Sequence, residues 1–426
     1  MGISTRRDSP WLALWLLTGI VTVGFVDRIV MNVLAVPVQK EFALSDTQVG
    51  LLTGLAFAVL NVTLGIAVAR YAERGRRLPL IVIGTLLWSL ATAACGFVAN
   101  YTQLLLARVG VGVGEAVGLP ANQSVLGDYF PPEKRATAMS ILMLSPPIGA
   151  FIGAAGGGWV GQELGWRDAF LIATLPGALL AIAAWLLIAD PPRGRYDREA
   201  SDAVPSLWAV LKRLVVLPSA RHLLAGSTLA SLVGYGLNGF FTFLLVREFA
   251  MSLAQAALWS ALLGSLPGAI SVYAGGKLAD RFGPTKPALY ALIPGACLLV
   301  ATPIYILGIT RGDATLLLVL VFVAALFQYT YLGVTYGVFQ NLLHSRMRAT
   351  GSALLNGIYT LIGQGFGALI VGGLSDRLAP GYGRAEGLAY AMAITAMIYL
   401  WAAAHYFLAA RHVGPDVAAV REGRAG

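Results

Sequence analysis

The chain has 426 residues, 57% of them hydrophobic and 12% charged, with a net charge of +9 from 30 Lys and Arg against 21 Asp and Glu. A soluble globular domain carries about 25% charged residues, so this composition excludes one and describes a membrane protein. The excess of positive charge follows the loops rather than one patch, which argues for topology and against a nucleic-acid partner.

Apolar runs long enough to cross a hydrocarbon core of about 30 Å recur along nearly the whole chain. The first, Trp11 to Val36, exceeds a signal-peptide core and has no small-residue cleavage site before its charged pair, so it reads as a retained helix. It contains GFVDRIVMN, residues 24–32, where Asp27 and Arg28 stand side by side in otherwise apolar sequence. Breaks in hydropathy predict the next spans at 47–69, 78–99, 102–127, 136–161 and 167–189. A polar, basic, proline-bearing stretch at 190–221 reads as a linker, and apolar residues at helical spacing from Pro205 to Leu217 predict a short helix lying at the membrane surface. Six more spans follow at 222–246, 255–276, 286–309, 314–341, 349–373 and 387–410. The predicted fold class is therefore all-α, with twelve transmembrane helices in two six-helix pseudo-symmetric bundles: 1–189, the cytoplasmic linker 190–221, and 222–426 with a short cytoplasmic tail.

Of the 30 Lys and Arg, 22 fall in the two tails, the linker and the 2/3, 4/5, 8/9 and 10/11 loops, while six fall in the opposite loops. By the positive-inside tendency, both termini and the linker are cytoplasmic in a multi-pass protein of the inner membrane. The two left over, Arg28 and Arg108, lie within spans. Cys95 and Cys297 fall mid-helix and read as buried bystanders; the four histidines, His344 and His412 at helix ends among them, lack metal-ligand spacing. No nucleophile with a base, no phosphate loop and no cofactor motif is evident, so neither an enzyme nor a cofactor is expected.

An internal repeat supports the two halves. PPEKRATAMSILM at 131–143 echoes HSRMRATGSALLN at 344–356, a spacing of 213, and ARYAERGRR at 69–77 echoes GKLADRFGPTK at 276–286. Parallel six-helix repeats are an architecture of secondary transporters. Glycines recur every fourth residue at Gly110, Gly114 and Gly118 and again at Gly149, Gly153, Gly157 and Gly161, which predicts close helix contacts that serve as glue and are compatible with rocking. Pro146 and Pro147 predict a bend in the fifth span.

GGKLADRFGPTK between the eighth and ninth spans closely resembles the loop signature of the major facilitator superfamily, and Glu73-Arg74 is a looser copy in the first half. FVDR in the first span and RVGVGVGEAVGLPANQSVLGDYFPPEKRATAM in the fourth look like the spinster group of lysolipid and sphingolipid transporters; anion:cation symporters share a similar Asp-Arg in the first helix. The resemblance implies gating by cytoplasmic charge latches, with Glu73, Arg74, Asp280 and Arg281 approaching Arg135 and Arg348, and Lys134 and Arg346 as further partners. LSPPIGAFIGAAGGG resembles the antiporter pattern of helix 5 only partly, which leaves the direction of coupling open.

Four ionisable groups lie well inside the bilayer: Asp27, Arg28, Arg108 and Glu115. Each costs about 2.5 to 3.5 kcal/mol to insert, roughly 10 kcal/mol together before pairing. Depths counted at about 1.5 Å per residue put Asp27 between Arg108 and Glu115, which share one face of the fourth span, so these three are expected to converge in the outer half of the first bundle. Arg28, about 100° around its helix from Asp27, is expected to pair elsewhere or with backbone carbonyls. A static ion-pair cluster is the bland alternative, but intramembrane carboxylates are candidate proton carriers, here Asp27 and Glu115. The spacing of 213 puts Val321 opposite Arg108 and Gln328 opposite Glu115, so titratable chemistry belongs to the first half. The second half offers Tyr235, Asn238, Gln328, Tyr329, Tyr331, Asn356, Tyr359 and Gln364, side chains that suit a polar headgroup and a chain and that also bond helices to one another.

The expected function is proton-coupled alternating access for an amphipathic lipid such as a lysophospholipid or sphingoid phosphate, with Arg108 binding its anionic group. Its partners are the lipid-like substrate, protons and the bilayer, and the expected state is a monomer. The alternatives are a proton-coupled symporter of small organic anions and an uncoupled lipid scramblase.

Overall fold

The computed structural model describes residues 9–74, 76–192, 195, 207–283, 285–343 and 348–421. Every regular element among them is helical. The first half runs α1 (Pro10–Phe42), α2 (Asp46–Gly50), a π-helical segment (Leu51–Leu55), α3 (Ala56–Arg74), α4 (Arg77–Gly96), α5 (Tyr101–Glu115), α6 (Gly118–Tyr129), α7 (Pro132–Leu142), α8 (Ser145–Glu163) and α9 (Trp166–Leu187). The short helix α10 (Leu207–Val216) precedes α11 (Pro218–Phe249), α12 (Leu253–Phe282), α13 (Leu289–Thr310), α14 (Ala314–Gln328) and α15 (Thr330–Leu342). Then come α16 (Arg348–Ile358), a second π-helical segment (Tyr359–Gln364), α17 (Gly365–Tyr382), α18 (Arg384–Ala396), α19 (Ile398–Ala410) and α20 (Val413–Arg421).

Eleven of these segments are long and apolar enough to cross a membrane. The twelfth predicted span, 102–127, is built from two shorter pieces, α5 and α6, because GEAVGLP interrupts the helix after Glu115. Local chemistry sets the other ends. Ser9 caps α1 with Pro10 in its first turn, Asn100 caps α5 and Asp313 caps α14, each side chain accepting from a backbone N–H that the helix leaves unpaired. The fifth span breaks at Met143–Leu144, and Pro146 and Pro147 fall in the first turn of α8, where a missing N–H costs nothing.

The helices gather into two compact units, each with its own interior. The first takes the described residues of Met1–Leu44, Leu55–Ser201 and Ser252–Ala261; the second takes those of Ser45–Gly54, Asp202–Met251 and Leu262–Gly426. In the first unit, Leu14, Leu17, Phe57, Ile81, Trp88, Val111 and Val125 form the core. The glycines of α8 let it lie directly on α1: a Cβ on Gly149 would stand 2.5 Å from Thr22 O, one on Gly153 2.6 Å from Val26 O, and one on Gly157 3.0 Å from Val30. The recurrence at four residues on α8 is the small-residue packing that substitutes for a hydrophobic force inside lipid. In the fourth span, Gly114 of α5 is held hardest, 2.5 Å from Trp88 N, whereas Gly118, at the start of α6, has nothing within 4 Å. In the second unit, α10 buries Val210 and Leu214 and leaves Trp208, Val215 and Val216 exposed.

Candidate functional site

The four charged residues within the spans of the first unit, Asp27, Arg28, Arg108 and Glu115, meet where α1, α3, α4 and α5 pack. α5 ends at Glu115, and Gly112 on its face lets α3 come close, so that a Cβ there would stand 3.1 Å from Phe57 O. Phe57 is fully buried and its ring lies under both guanidinium groups, 4.6 Å from Arg28 Cζ and 5.7 Å from Arg108 Cζ, while Phe25 adds a second ring 5.1 Å from Arg28. Arg28 Nη2 bonds Glu115 Oε2 at 2.6 Å, with the two side chains 21% and 4% exposed. This differs from the sequence expectation for Arg28: the long arginine side chain crosses the angular offset from Asp27 and reaches α5. Asp27 is buried and accepts a hydrogen bond at Oδ2 from Thr92 Oγ1 on α4. Arg108, 1% exposed, acts electrostatically on Asp27, yet its Nε and Nη1 have no hydrogen-bond partner among the described residues. Asp27 Oδ1, Arg28 Nε and Glu115 Oε1 are unpartnered in the same way. Asp27, Arg108 and Glu115 therefore line one neighbourhood, but the ion pair within it belongs to Arg28.

In the second unit, Asn238 Nδ2 donates to Tyr329 OH at 2.9 Å, and Tyr305 OH donates to Gln328 Oε1. Tyr359 meets Tyr336 edge to face at 5.9 Å between ring centres. Tyr235 and Asn356 are exposed, whereas Tyr331 and Gln364 are buried, and the Tyr359 hydroxyl and Gln364 Oε1 have no hydrogen-bond partner among the described residues. Tyr359 and Gln364 are the first and last residues of the π-helical segment, a distortion found often at functional sites. Of the expected substrate ligands in this unit, Asn238 and Tyr329 are joined directly and Gln328 is tied to Tyr305. The side chains of Glu73, Arg74, Arg135, Asp280 and Arg348 lie outside the described residues. Arg281 is exposed over the Phe282 ring at 5.4 Å.

Two charged networks were not read from the sequence. In the second unit, Arg247 grips Asp46 with both terminal nitrogens, at 2.8 and 2.5 Å, and Ser375 Oγ donates to the same carboxylate at 2.6 Å. Asp376 accepts from the backbone N–H of Asp46 at 2.8 Å, from that of Thr47 at 2.7 Å and from Thr47 Oγ1 at 2.5 Å, which fixes the start of α2. In the first unit, buried Arg77 bonds Asp128, the Ser124 carbonyl at 3.1 Å and the Pro191 carbonyl at 2.8 Å, while Asp190 accepts from the Arg77 N–H at 2.6 Å. The only local sign of the first was the Ser-Asp-Thr-Gln capping box at 45–48, since its remaining members stand about two hundred and more residues away.

Membrane-crossing helices gathered into two units, with a broken span ending on a buried acid, define a multi-pass membrane transporter. The profile of the Major Facilitator Superfamily matches residues 16–369. A solved bacterial homolog of the human lysosomal transporter spinster, in an inward-facing, unoccupied conformation, is 32% identical, with a TM-score of 0.89 over 97% of this chain and 99% of that one. An MFS-type efflux pump of Mycolicibacterium smegmatis is 30% identical over 412 residues, 94% of this chain and 93% of its own length. A probable sphingolipid transporter, spinster homolog 1 of Arabidopsis thaliana, is 29% identical over 176 residues, 41% of this chain and 35% of its own. The chain belongs to the Major Facilitator Superfamily and is a spinster-like transporter within it.

Proposed function

We propose that the chain is a proton-coupled transporter of amphipathic, lipid-like molecules of the lysophospholipid or sphingoid-phosphate kind, working by alternating access in the inner membrane with both termini cytoplasmic. The observation that carries this reading is the Arg28–Glu115 pair at 2.6 Å, an acid almost wholly withdrawn from solvent bonded to an arginine that is 21% exposed. An ionised Glu115 occupies Arg28. A proton on Glu115 removes the charge that holds the guanidinium, and Arg28 is then free to take a phosphate or carboxylate in a two-pronged bond. Proton and anion are thereby linked through one arginine, and each changes the other's affinity by the same factor.

Asp27 is the second proton carrier in this reading. Arg108, 1% exposed, is its counter-charge, so the anion-binding role expected for Arg108 moves to the more accessible Arg28. The lipid-like substrate class is supported by the aromatic walls around the charges, Phe25 and Phe57, and by the neutral aromatic and amide side chains of the second unit, from Tyr235 and Asn238 to Tyr359 and Gln364. The Arabidopsis relative's name, a probable sphingolipid transporter, supports the same class. The Mycolicibacterium relative's name, an efflux pump, supports exchange of an entering proton for a leaving substrate. Glu73, Arg74, Asp280 and Arg281 act with Arg135 and Arg348 as cytoplasmic latches, so Asp280→Asn leaves membrane insertion intact and cripples transport.

The test is reconstitution in liposomes with labelled lysophospholipid and an imposed pH gradient, comparing wild type with Glu115→Gln and Asp27→Asn. Gradient-driven lipid movement that is lost in both variants is the expected result. Lipid movement indifferent to pH and to both substitutions identifies a scramblase, and uptake of a small carboxylate without lipid movement identifies an organic-anion symporter; either overturns the proposal.

A further inference from the structure

We propose that Thr92 is a positioning residue for Asp27, its hydroxyl fixing the carboxylate and setting the pH at which that carboxylate takes up its proton. The inference rests on the reading of Asp27 as a proton carrier. Threonines in membrane helices ordinarily turn the hydroxyl back onto their own helix, four residues earlier. Thr22, Thr53, Thr85, Thr174, Thr302 and Thr395 all do so here, with hydroxyl-to-carbonyl distances of 2.7 to 3.0 Å. Thr92 departs from that pattern: its Oγ1 leaves α4 and donates to Asp27 Oδ2 on α1. Thr92 is 1% exposed and Asp27 2%, so water does not compete for the bond. It is the one hydrogen bond given to the Asp27 side chain among the described residues, and Oδ1 has none.

A hydroxyl suits this task because it donates as well as accepts. It donates to the ionised carboxylate, and after proton uptake it can rotate and accept from the carboxylic acid, so the side chain stays in place in both states. The other titratable groups acting on Asp27 are Arg28 on its own helix and Arg108 and Glu115 on α5, with the Cys95 thiol on α4 nearby. α8 and α9 present Gly149, Gly153 and Gly177 to α1 at this level, none of them titratable. Glu41 and Asp128 are engaged with Arg167 and Arg77. Removing the Thr92 hydroxyl therefore strips support mainly from the ionised form of Asp27.

The decisive measurement is an infrared pH titration of the carboxylic-acid band in the purified full-length protein, with wild type, Asp27→Asn, Thr92→Val and Thr92→Ser side by side. The component that disappears in Asp27→Asn belongs to Asp27. In Thr92→Val its midpoint moves to higher pH by about one unit, the excess of a hydrogen bond to the ionised carboxylate over one to its neutral form, and Thr92→Ser returns it to the wild-type position. The pH profile of lysophospholipid transport in liposomes shifts in the same sense. A midpoint unchanged in Thr92→Val overturns the positioning role while leaving Asp27 a proton carrier. A spectrum in which Asp27→Asn removes no titrating component sinks the proton-carrier reading and the positioning role with it. Should Thr92→Val not accumulate in membranes, Thr92→Ala replaces it, and equal midpoints for Thr92→Ala and Thr92→Ser count against the proposal.

Discussion

Arg28→Met removes the guanidinium that stands 2.6 Å from Glu115 while keeping an apolar chain between the Phe25 and Phe57 rings. Glu115, 4% exposed along its side chain and without a partner at Oε1, becomes an uncompensated buried carboxylate. Breaking a buried pair from one side in this way costs about 3–5 kcal/mol. Glu115→Gln costs less, about 1–2 kcal/mol, because an amide needs no counter-charge and Arg28 keeps its ring contacts and some access to solvent. The double variant leaves neither charge behind and falls within about 1 kcal/mol of Glu115→Gln alone, so the two losses are far from additive. Thermal unfolding of the purified protein measures this: at roughly 2–4 °C per kcal/mol for a unit of this size, Arg28→Met loses about 6–20 °C at neutral pH. A wild-type melting temperature for Arg28→Met at neutral pH, or a double variant less stable than both singles, refutes the switchable pair.

Gly153→Ala drives a methyl into Val26 O at 2.6 Å and costs about 1–3 kcal/mol, while Gly156→Ala, with nothing within 4 Å, stays within about 0.5 kcal/mol of wild type in the same melting assay. Asp376→Ala takes the acceptor from the N–H groups of Asp46 and Thr47, and hydrogen exchange at those two amides accelerates while that of the α5 interior does not. Asp46→Asn weakens the two-pronged Arg247 grip and costs about 1–3 kcal/mol by melting, with the α2 cap on Asp376 retained. Tyr305→Phe leaves the buried Gln328 carbonyl without its donor and costs about 1–3 kcal/mol, a loss that Gln328→Leu relieves when the two are combined.

Much of this site was legible because charge in an apolar run is conspicuous: Asp27, Arg28, Arg108 and Glu115 stand out against a sequence that is 57% hydrophobic, and helix rise alone brings the first span level with the fourth. Which arginine holds which acid was not legible, since a guanidinium on a long flexible stem reaches past the angular position of its own Cα. Thr92 was invisible for a different reason. Membrane helices hold many threonines, and nothing in the neighbouring residues says which one turns outward. The Asp46–Arg247–Asp376 network depends on three segments far apart in the chain, and helix propensity in any one of them is silent about the others. The interruptions of the fourth and fifth spans were half visible, as GEAVGLP and LSPP, yet a hydropathy window averages across them.

The repeat clarifies why the chemistry is lopsided. α5 ends at Glu115 and α14 at Gln328, positions 213 apart, so both halves break the corresponding span at the same point. A helix that stops inside the bilayer leaves its last carbonyls unpaired and turns its final side chain out of the regular ridge, a geometry that transporters place at their ligand sites. The first half fills that position with a carboxylate bonded to Arg28, and the second fills it with an amide bonded to Tyr305. A carboxylate at this place can change charge; an amide cannot. In the proton-coupled reading proposed above, duplicated geometry with unduplicated charge confines proton-dependent rearrangement to the first half and leaves the second as a polar frame. On that account Gln328→Glu, which makes the two breaks chemically alike, adds a buried acid without an arginine opposite it, since Phe240 and Phe241 stand 213 residues beyond Asp27 and Arg28. The variant is expected to melt at least about 3 kcal/mol earlier at neutral pH and to recover in acid. A Gln328→Glu protein as stable as wild type at neutral pH would mean that the second break already holds a cationic partner, and the division of labour would fall.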